Sequence, residues 1–499
     1  MQYQSTRNKK LSVTAAQAIK AGLSAEGGLF VPESIPEIAM PEIEKMAEMS
    51  YTDRAFAVLS RFLTDYTEDE LYSCINNAYT KEKFETANIA PVYKLNGSQY
   101  FLELWHGPTC AFKDMALQIL PHLLTTAMKK TNETDEVVIL VATSGDTGKA
   151  ALEGFKDVQG TRIIVFYPEN GVSEIQKLQM VTQEGNNVGV AAVEGNFDDA
   201  QNGVKKIFCD EAYKAELENS GFKLSSANSI NWGRLVPQIV YYFSAYADML
   251  KANEIKAGEA INVVVPTGNF GNILAAYYAK KMGLPIAKLI CASNSNNVLT
   301  DFINTGVYNK KREFHTTISP SMDILISSNL ERFLYDISGR DDGLIASLMK
   351  KLNGDGAYEV NSAMKKVISE LFYGGYCDDE HTRKTIKKCM DESGYVIDTH
   401  TAVAKAVHDE YMEKTGDMTK TIIASTASPF KFNQSVLIAL GGCEAIVGKD
   451  EFALLDSLSE LSGMNIPKSL AALKEKNRVF DIVCDKDQMQ DIVSEFLNI

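Results

Sequence analysis

The sequence lacks the cysteine spacing of a zinc site or of a disulfide framework. Its eight cysteines are scattered along 499 residues and form no C-x-x-C pair. They are Cys74, Cys110, Cys209, Cys291, Cys377, Cys389, Cys443 and Cys484. This pattern is typical of a reducing compartment and predicts a cytoplasmic location. The six histidines form no ligand cluster either, so we expect no metal site.

Long apolar runs and a surplus of positive charge are also absent. No run approaches the roughly 18 residues that span a bilayer, and the polar start MQYQSTRNKK is not a secretory signal. Fifty basic against 65 acidic residues leave a formal charge of -15, which opposes binding to nucleic acid or to an anionic membrane. We therefore expect a folded protein of roughly two to four domains, in which a site for an anion must be locally positive.

Short apolar runs followed by helical patterns predict an α/β fold. The runs 137-VVILVA-142, 162-RIIVFYP-168 and 262-NVVVPTG-268 have the composition of buried parallel strands and are bounded by Gly, Pro or Ser. Helical patterns follow them, as in 147-TGKAALEGF-155. Since strand-loop-helix units recur, we expect parallel sheets covered on both faces.

The regions around these units are predicted to be mostly helical. Residues 11–90 alternate helical patterns with a turn-rich segment at 22–36. The strand signal fades between about 300 and 395, which we interpret as a helical insertion. A last strand signal, 420-KTIIAST-426, precedes a mostly helical tail.

One lysine stands in an unusual setting in 106-HGPTCAFKDMALQ-118. A Gly-Pro turn leads into an apolar helix of about two turns, which Pro121 should kink or end, and this places Lys113 at the helix start. The helix dipole disfavours a cation there, and a lysine among apolar groups loses its proton more easily. Lys113 could therefore attack a carbonyl as the neutral amine. Taken alone, the segment leaves open a lysine that only extends to water.

Three glycine-bearing loops follow predicted strands: 143-TSGDTG-148, 266-PTGNFGN-272 and 425-STASP-429. In open α/β sheets, ligands bind beyond the carboxyl ends of the strands, where such loops meet helix N-termini. In the second loop, the glycines let backbone amides converge on an anion, and a phosphate is the expected occupant. Each loop alone could equally be a turn that needs glycine for its geometry.

A polar cluster occurs in 225-SSANSINWGRLVPQIVYY-242. It contributes Ser226, Asn228, Ser229, Asn231 and Arg234. A guanidinium among hydroxyls and amides suits a second phosphate or a carboxylate, although a capped, solvated helix start is the alternative. Two predicted anion sites and one lysine in an unusual setting together suggest an aldehyde cofactor with a phosphate, and an anionic substrate.

These segments resemble the threonine synthase family of pyridoxal-phosphate enzymes, which have the tryptophan-synthase-β fold. The similar segments are 3-YQSTRN-8, 27-GGLFVPESIP-36, 106-HGPTCAFKDMALQ-118, 142-ATSGDTGKAA-151, 228-NSINWGR-234, 267-TGNFGN-272 and 425-STASPFKF-432. The length of the chain and its helical insertion look like the longer bacterial and fungal branch.

The resemblance implies an α/β protein of fold type II, with two open parallel-sheet domains and the cofactor between them. A mostly helical N-terminal region would occupy residues 1–95. The smaller domain, with the lysine, would occupy residues 96–235. The larger domain would occupy residues 236–499 and include the insertion at about 300–395.

The resemblance also implies a role for each motif. Lys113 would form a Schiff base with pyridoxal 5'-phosphate, and Thr426 would hydrogen-bond the pyridine nitrogen of the cofactor. Its phosphate would be held by Gly268, Asn269, Phe270, Gly271 and Asn272. The substrate carboxylate would be bound by Thr143, Ser144, Asp146 and Thr147. The substrate phosphate would be bound by Asn228, Ser229 and Arg234.

Two positions depart from the family pattern. Threonine synthases read T-A-H-P where this chain has 426-TASP-429, so Ser428 replaces a histidine. Relatives in the wider fold often carry Asn where this chain has Asp146. A carboxylate accepts rather than donates hydrogen bonds, which makes Asp146 a weaker contact for the ring oxygen of the cofactor.

The activity implied is the conversion of O-phospho-L-homoserine and water to L-threonine and phosphate. A phospho-lyase that releases a 2-keto acid, and a non-catalytic protein that only binds the cofactor, are the alternatives. The expected partner is a small-molecule substrate rather than nucleic acid or membrane. The sequence leaves both a monomer and a dimer open.

Overall fold

Four β-sheets organise the computed structural model, which describes residues 1–143, 145–169 and 172–499. Sheets of six and five strands form the body of the fold, and sheets of three and two strands lie beside them. In chain order the strands are β1 (Tyr3–Ser5), β2 (Asn8–Val13), β3 (Phe30–Pro32), β4 (Val92–Lys94), β5 (Gln99–Glu103), β6 (Glu136–Ala142), β7 (Thr161–Pro168), β8 (Val188–Val193), β9 (Phe222–Ser225), β10 (Ile261–Pro266), β11 (Ile286–Ser293), β12 (Val307–Asn309), β13 (Ala357–Glu359), β14 (Phe372–Tyr376), β15 (Thr421–Ser425) and β16 (Val483–Cys484).

Helices cover the sheets and form the N-terminal region. In chain order they are α1 (Ala15–Ala21), α2 (Met40–Lys45), α3 (Tyr51–Phe62), α4 (Glu68–Ala78), α5 (Asp114–Leu117), α6 (Leu120–Lys130), α7 (Asp146–Phe155), α8 (Glu174–Val181), α9 (Phe197–Cys209), α10 (Glu211–Asn219), α11 (Trp232–Leu235), α12 (Pro237–Lys251), α13 (Gly271–Lys281), α14 (Val298–Thr305), α15 (Leu330–Ile337), α16 (Asp342–Gly354), α17 (Ser362–Leu371), α18 (Asp379–Ser393), α19 (Thr399–Thr415), α20 (Asn433–Gly441), α21 (Glu451–Ser462), α22 (Lys468–Ala471) and α23 (Met489–Leu497). Short 3-10 helices lie at Met46–Glu48, Pro320–Met322, Pro429–Phe432, Cys443–Ile446 and Ala472–Glu475.

The predicted parallel strands are confirmed. β6 and β7 pair in parallel from Val137 opposite Thr161 to Ala142 opposite Phe166, and β10 pairs in parallel with both β11 and β15. These runs are rich in branched apolar side chains that are buried on both faces, as expected where helices cover both sides of a sheet. Their carboxyl ends carry the loops that were predicted to bind ligands.

Sheet membership differs from the predicted division at residues 95 and 235. The six-stranded sheet has the order β14-β11-β10-β15-β5-β4, so the strand before the Lys113 loop belongs with the later strands. The five-stranded sheet has the order β16-β8-β7-β6-β9, so the end of the chain completes the earlier unit. Parallel pairing between strands far apart in the chain, such as β5 with β15, leaves no trace in the local pattern.

Two regions predicted as mostly helical also contain strands. β1, β2 and β3 form a small antiparallel sheet at the N-terminus. In the region 300–395, β12 pairs with β13, and β14 joins the edge of the six-stranded sheet beside β11. Most of these strands are too short for an alternating pattern to emerge from the sequence.

An apolar core runs through the N-terminal helices and both large sheets. Tyr3, Phe62 and Trp232 meet edge to face at its centre, and Trp232 is completely buried in α11. Because α11 follows Ser229 closely and itself carries Arg234, this packing fixes the end of the predicted phosphate segment. Within the described ranges, no helix combines the length and apolar character needed to cross a bilayer.

Candidate active site

The loop that carries Lys113 is fixed by backbone hydrogen bonds to the segment after β15. The Phe112 N–H donates to the Thr426 carbonyl at 2.8 Å, and the Ser428 N–H donates to the Cys110 carbonyl at 3.0 Å. Cys110 adopts a positive φ of 59°, which most side chains avoid. The two loops therefore hold each other in place although they lie far apart in the chain.

The buried carboxylate of Asp114 stabilises the loop that carries Lys113. Asp114 accepts hydrogen bonds from the Thr109 N–H at 2.8 Å and from the Thr109 hydroxyl at 2.7 Å. Burial raises the pKa of Asp114 to about 6, although these hydrogen bonds oppose the shift. A side chain at Gly107 would lie 2.6 Å from the Asp114 carboxyl group, so only glycine leaves room for this turn. The sequence pattern did not identify Asp114 as a loop-closing residue.

Lys113 lies immediately before α5, as predicted, but the helix is shorter than expected. The single turn of α5 ends at Leu117, and α6 begins at Leu120 with Pro121 in its first turn. Proline is tolerated there because the missing N–H has no partner within the helix. Pro121 therefore starts a second helix and does not simply end the first.

The Lys113 amine is buried beside a hydroxyl and a carboxylate. Its Nζ donates to the Ser321 hydroxyl at 3.1 Å and lies 3.5 Å from Asp146 Oδ2. Burial lowers the pKa of Lys113 to about 8; Asp146 opposes the shift, whereas Arg234 and Lys431 add to it. Lys113 is therefore closer to losing its proton near neutral pH than a surface lysine is.

Asp146 is the hub of the hydrogen bonds around Lys113. Oδ1 lies 2.7 Å from Lys431 Nζ and accepts from Gln176 at 2.9 Å, whereas Oδ2 accepts from Ser321 at 3.2 Å. Burial works to raise the pKa of Asp146, but Lys431 and Lys113 outweigh it and hold the pKa well below its ordinary value. Asp146 is therefore an ionised acceptor in the centre of the site.

The loop predicted to hold the cofactor phosphate has the geometry of an anion site. Phe270 adopts a left-handed conformation (φ 61°) directly before α13, which turns successive backbone N–H groups toward one side. A side chain at Gly268 would lie 2.7 Å from the Ser321 carbonyl oxygen. This close contact brings the loop next to the residue that hydrogen-bonds Lys113.

Side-chain amides surround the start of α13. Asn272 Oδ1 accepts from the Tyr241 and Tyr242 hydroxyls, while its buried Nδ2 has no hydrogen-bond partner among the described residues. The space beside Gly271 is bordered by Asn329 Nδ2 at 3.5 Å and Gln238 Nε2 at 3.8 Å. Amide donors and a helix N-terminus that converge in this way suit a phosphate. Asn269 is exposed at the tip of the loop.

Arg234 is a buried cation without a carboxylate partner among the described residues. Its Nη1 donates to the Ala227 carbonyl at 2.8 Å. Burial lowers the pKa of Arg234 to about 10, so it remains charged at neutral pH. A buried charge without a counter-ion is costly, and an anionic ligand would supply the missing partner.

The other two residues predicted at the substrate phosphate lie just before α11. Asn228 and Ser229 are half-buried, and the Asn228 N–H donates to the Ser226 hydroxyl at 3.2 Å. The Ser229 carbonyl accepts from Asn329 Nδ2 at 3.0 Å, while the Asn329 N–H donates to the Asn269 carbonyl at 3.1 Å. Asn329 thus ties the two predicted phosphate loops together.

A buried arginine supports Asn329. Arg332 donates to the Asn329 side chain, to the Ile230 carbonyl at 2.6 Å and to the Phe30 carbonyl at 2.9 Å. It therefore links the N-terminal region to the segment before α11. Neither Asn329 nor Arg332 belongs to the motifs that the sequence singled out, because their partners are backbone atoms distant in the chain.

The loop after β6 is organised by one hydroxyl. Thr143 is buried, and its Oγ1 accepts from the Gly145 N–H at 3.0 Å and from the Gly148 N–H at 2.9 Å. Thr147 is half-buried at the start of α7. Ser144, also predicted to contact the substrate carboxylate, lies outside the described residues.

The segment after β15 places Thr426 and Ser428 next to the Lys113 loop. The Thr426 side chain is buried, and its hydroxyl forms no hydrogen bond with another described residue. Ser428 caps the 3-10 helix by accepting from the Phe430 N–H at 3.4 Å. The serine that replaces the family's histidine therefore supports the local backbone.

The buried side chain of His400 accepts a hydrogen bond from the backbone of Ser321. The Ser321 N–H donates to His400 Nε2 at 3.2 Å, and His400 Nδ1 lies 2.9 Å from Asp398 Oδ2. Asp398 caps α19. Because Nε2 accepts, Nδ1 carries the proton toward Asp398. The sequence offered no signal for this pair, since Ser321 and His400 meet only in the folded chain.

Comparisons with known families agree with this site. The family described as Pyridoxal-phosphate dependent enzyme matches residues 85–424. Two further families, Threonine synthase N terminus and Threonine synthase, C-terminal, match residues 2–79 and 401–493.

Individual relatives point the same way. The pyridoxal-phosphate-bound threonine synthase of Brucella melitensis is 34% identical, with a TM-score of 0.88 and coverage of 100% of both chains. Threonine synthase of Methylobacillus glycogenes is 37% identical over 452 residues, which cover 88% of this chain and 92% of that protein. The human protein Threonine synthase-like 1 is 42% identical over 435 residues, which cover 85% of this chain but only 58% of that longer protein.

The fold, the buried lysine and the family match thus define a pyridoxal-phosphate-dependent enzyme. Within that class, the chain belongs to the threonine synthase family. The predicted family and fold are confirmed, as is pyridoxal phosphate as the cofactor of the class. The individual roles of the site residues stay predictions.

The residues around Lys113 fit pyridoxal phosphate. An amine of lowered pKa lies near a loop with left-handed Phe270, and the Asn272 amide nitrogen has no partner among the described residues. These features supply a group for the aldehyde and donors for the phosphate. The structure also describes no cluster of three or more metal-ligating side chains in its residues.

Proposed function

We propose that this protein is a threonine synthase that converts O-phospho-L-homoserine and water to L-threonine and phosphate. The observation that carries the proposal is a buried cation that suits a second anion site. Arg234 is buried and has no carboxylate partner among the described residues, and it is distinct from the loop at Gly268–Asn272. A cofactor with one phosphate leaves the second site for a phosphorylated substrate. The names of the relatives support the same substrate class.

Each group would have a separate task. Lys113 would hold the cofactor covalently. The loop at residues 268–272 would bind the cofactor phosphate, and Thr426 would hydrogen-bond the ring nitrogen. When bound, pyridoxal phosphate supplies an electron sink for charge that develops next to the amino group. The loop from Thr143 to Thr147 would orient the substrate carboxylate.

Lys113 would then act as the base. As a neutral amine, its Nζ takes the Cα proton of the substrate and later returns it. A pKa of about 8 keeps an appreciable fraction neutral near physiological pH. Arg234 would hold the substrate phosphate and keep it in the site when it leaves, so that water can add at the adjacent carbon. The reaction consumes one water and releases one phosphate, which balances.

Product analysis tests the proposal. The full chain, loaded with pyridoxal phosphate, is incubated with O-phospho-L-homoserine, and the products are separated by amino-acid chromatography. Threonine and phosphate in equal amounts would support the synthase. Detection of a 2-keto acid and ammonia would instead indicate a phospho-lyase. A loaded protein that forms no product would indicate a non-catalytic binder.

The finer class and the location belong to the same proposal. Assignment to fold type II is supported by two mostly parallel sheets and by the position of Lys113 in a loop that follows one of them. A cytoplasmic location is supported by the cysteines, all of which are free thiols. A small-molecule substrate is the partner that these features support.

A further inference from the structure

A second lysine is buried in the same site. Lys431 lies in the 3-10 helix after β15, and its side chain is 0% exposed. Its Nζ lies 2.7 Å from Asp146 Oδ1 and donates to the Thr109 carbonyl at 2.9 Å. A fully buried ammonium is costly unless it is paired and hydrogen-bonded. The resemblance assigns no role to this residue.

Asp146 lies between the two lysines. One carboxylate oxygen is bound by Lys431 and Gln176, and the other faces Ser321 and Lys113. The two lysines and the carboxylate therefore form a line of alternating charge. The end at Lys431 contacts only interior atoms, whereas the end at Lys113 contacts the candidate cofactor site.

This arrangement addresses a difficulty created by Asp146. A buried carboxylate 3.5 Å from Lys113 would hold the proton on that amine and so prevent it from acting as a base. Lys431 offsets this effect on the pKa of Lys113. Its positive charge neutralises the Asp146 carboxylate and also repels a proton on Lys113.

We propose that Lys431 is a positioning residue that neutralises and orients Asp146, so that Asp146 aligns Lys113 without holding a proton on it. The inference shares one assumption with the proposed function, which is that Lys113 is the reacting amine. Asp146 and Lys431 thus act as one neutral pair next to the Lys113 amine.

Other charged groups near the pair are few and come from separate elements. Lys113 is influenced by Asp146, Arg234 and Lys431. Lys431 in turn influences Asp114 and the Cys110 thiol. His400 contacts the site through the Ser321 N–H. Of these groups, Asp146 is the carboxylate that contacts both lysines directly.

Three full-length variants test the proposal: Lys431→Met, Asp146→Asn and the double variant. The direct readout is the ionisation of Lys113 in protein without cofactor. Trace labelling with acetic anhydride at a series of pH values, followed by peptide mass spectrometry, reports the neutral fraction of this amine. The pH profile of kcat for the cofactor-loaded protein, which reports groups in the complex with substrate, gives a second readout.

The two single variants should move the labelling curve in opposite directions. Lys431→Met frees the charge of Asp146 and should raise the midpoint for Lys113 by about one pH unit. Asp146→Asn removes the counter-ion and should lower the midpoint by about one pH unit. In the double variant, the midpoint should return to within about half a unit of the wild-type value. The loaded Lys431→Met protein should show the same upward shift in its pH profile.

Several outcomes would overturn the proposal. If the Lys431→Met protein folds and its Lys113 labelling curve has the wild-type midpoint, then Lys431 only connects Thr109 and Asp146 structurally and the proposal is wrong. If Lys431→Met does not fold, Asp146→Asn and the double variant decide the question, and identical midpoints in those two proteins would also overturn it. Labelling requires no substrate, so a failure of threonine synthesis cannot be mistaken for a failure of this inference.

Discussion

At the residue scale, Lys113 and Arg234 show how burial gives two cations different uses. Burial lowers the pKa of Lys113 to about 8 and that of Arg234 to about 10. The lysine can therefore exchange a proton near neutral pH, whereas the arginine remains a fixed charge. This difference suits Lys113 to acid–base chemistry and Arg234 to binding an anion.

The lowered pKa of Lys113 predicts a stability penalty in the protein without cofactor. Below about pH 8 the lysine is charged in both the folded and the unfolded state, and the folded state bears the full cost of the buried charge. The penalty is relieved as the pH rises from about 8 to the unfolded value near 10.5, because only the folded state has lost the proton. Lys113→Met should therefore stabilise the cofactor-free protein at pH 7 by about 1 to 3 kcal/mol. The gain should shrink at pH 9.5.

Urea unfolding of wild-type and variant protein at both pH values checks this expectation. Lys206→Met is the matched control, since that side chain is 72% exposed and should change stability by less than about 0.5 kcal/mol. A gain for Lys113→Met that is equal at the two pH values would contradict the assignment to ionisation.

Arg234 is expected to recognise the phosphate of the substrate and not that of the cofactor. Arg234→Lys keeps the charge but loses the planar pair of donors, so kcat/KM should fall about ten- to a hundredfold. Cofactor dissociation, followed by absorbance, should barely change. Arg61→Lys on the surface serves as the control. Loss of cofactor with normal turnover after reloading would show that the two phosphate sites are interchanged.

Thr426 has a buried side chain whose hydroxyl forms no hydrogen bond with another described residue, and it is predicted to bind the ring nitrogen of the cofactor. Thr426→Val keeps the shape and removes the hydroxyl, so cofactor binding or turnover should weaken by about 1 to 3 kcal/mol. Thr421→Val, at the start of β15, is the control, because that hydroxyl already donates to the Thr419 carbonyl at 2.8 Å. Unchanged cofactor affinity together with unchanged turnover would count against the assignment.

At the element scale, the segment that leads into α15 connects the two loops that are predicted to bind phosphate. Asn329 bonds Asn269 through its backbone and Ser229 through its side chain, and Arg332 fixes the side-chain orientation of Asn329. The helical insertion is therefore part of the site, because it sets the distance between the loops. A change in this segment should disturb both loops together.

Asn329→Ala is the variant that separates this role from that of Arg234. Loss of the tie to Ser229 should weaken both substrate and cofactor binding, each by about 1 to 2 kcal/mol. Asn361→Ala is matched for stability, since it removes an N-cap at α17 worth about 1 kcal/mol but lies away from the loops. KM values and cofactor dissociation constants provide the measurement. An effect on only one of the two ligands would refute the role as a bridge.

At the scale of the whole molecule, the sequence predicted the local features and missed the distant ones. The strands at 137–142 and 262–266 were recognisable because continuous runs of branched apolar residues suit a sheet buried on both faces. Lys113 was recognisable from its setting between a turn and a helix. No local pattern identified four other residues of the site, because their partners are brought together only by folding. These residues are Ser321, Asn329, His400 and Lys431.

The end of the chain is the clearest case of such distant packing, and it carries the last prediction. β16 pairs with β8, and α23 packs Met489, Val493 and Leu497 into the core of the five-stranded sheet. Gly189 in β8 leaves room for the Phe496 ring, which lies 2.9 Å from where a side chain would start. The tail therefore completes the unit that holds Asp146, although the sequence predicted only a mostly helical tail of the larger domain.

Val493→Ala should expose how far this packing extends. Val493 is 0% exposed, so the cavity should lower the free energy of unfolding by about 1 to 3 kcal/mol, whereas Val479→Ala at 54% exposure should change it by less than about 0.5 kcal/mol. Urea titrations followed by far-ultraviolet circular dichroism and by cofactor absorbance provide the test. If the tail is integral to the fold, both signals shift together to lower urea. A tail that unfolds separately would lose helical signal first and leave the cofactor transition at its wild-type midpoint.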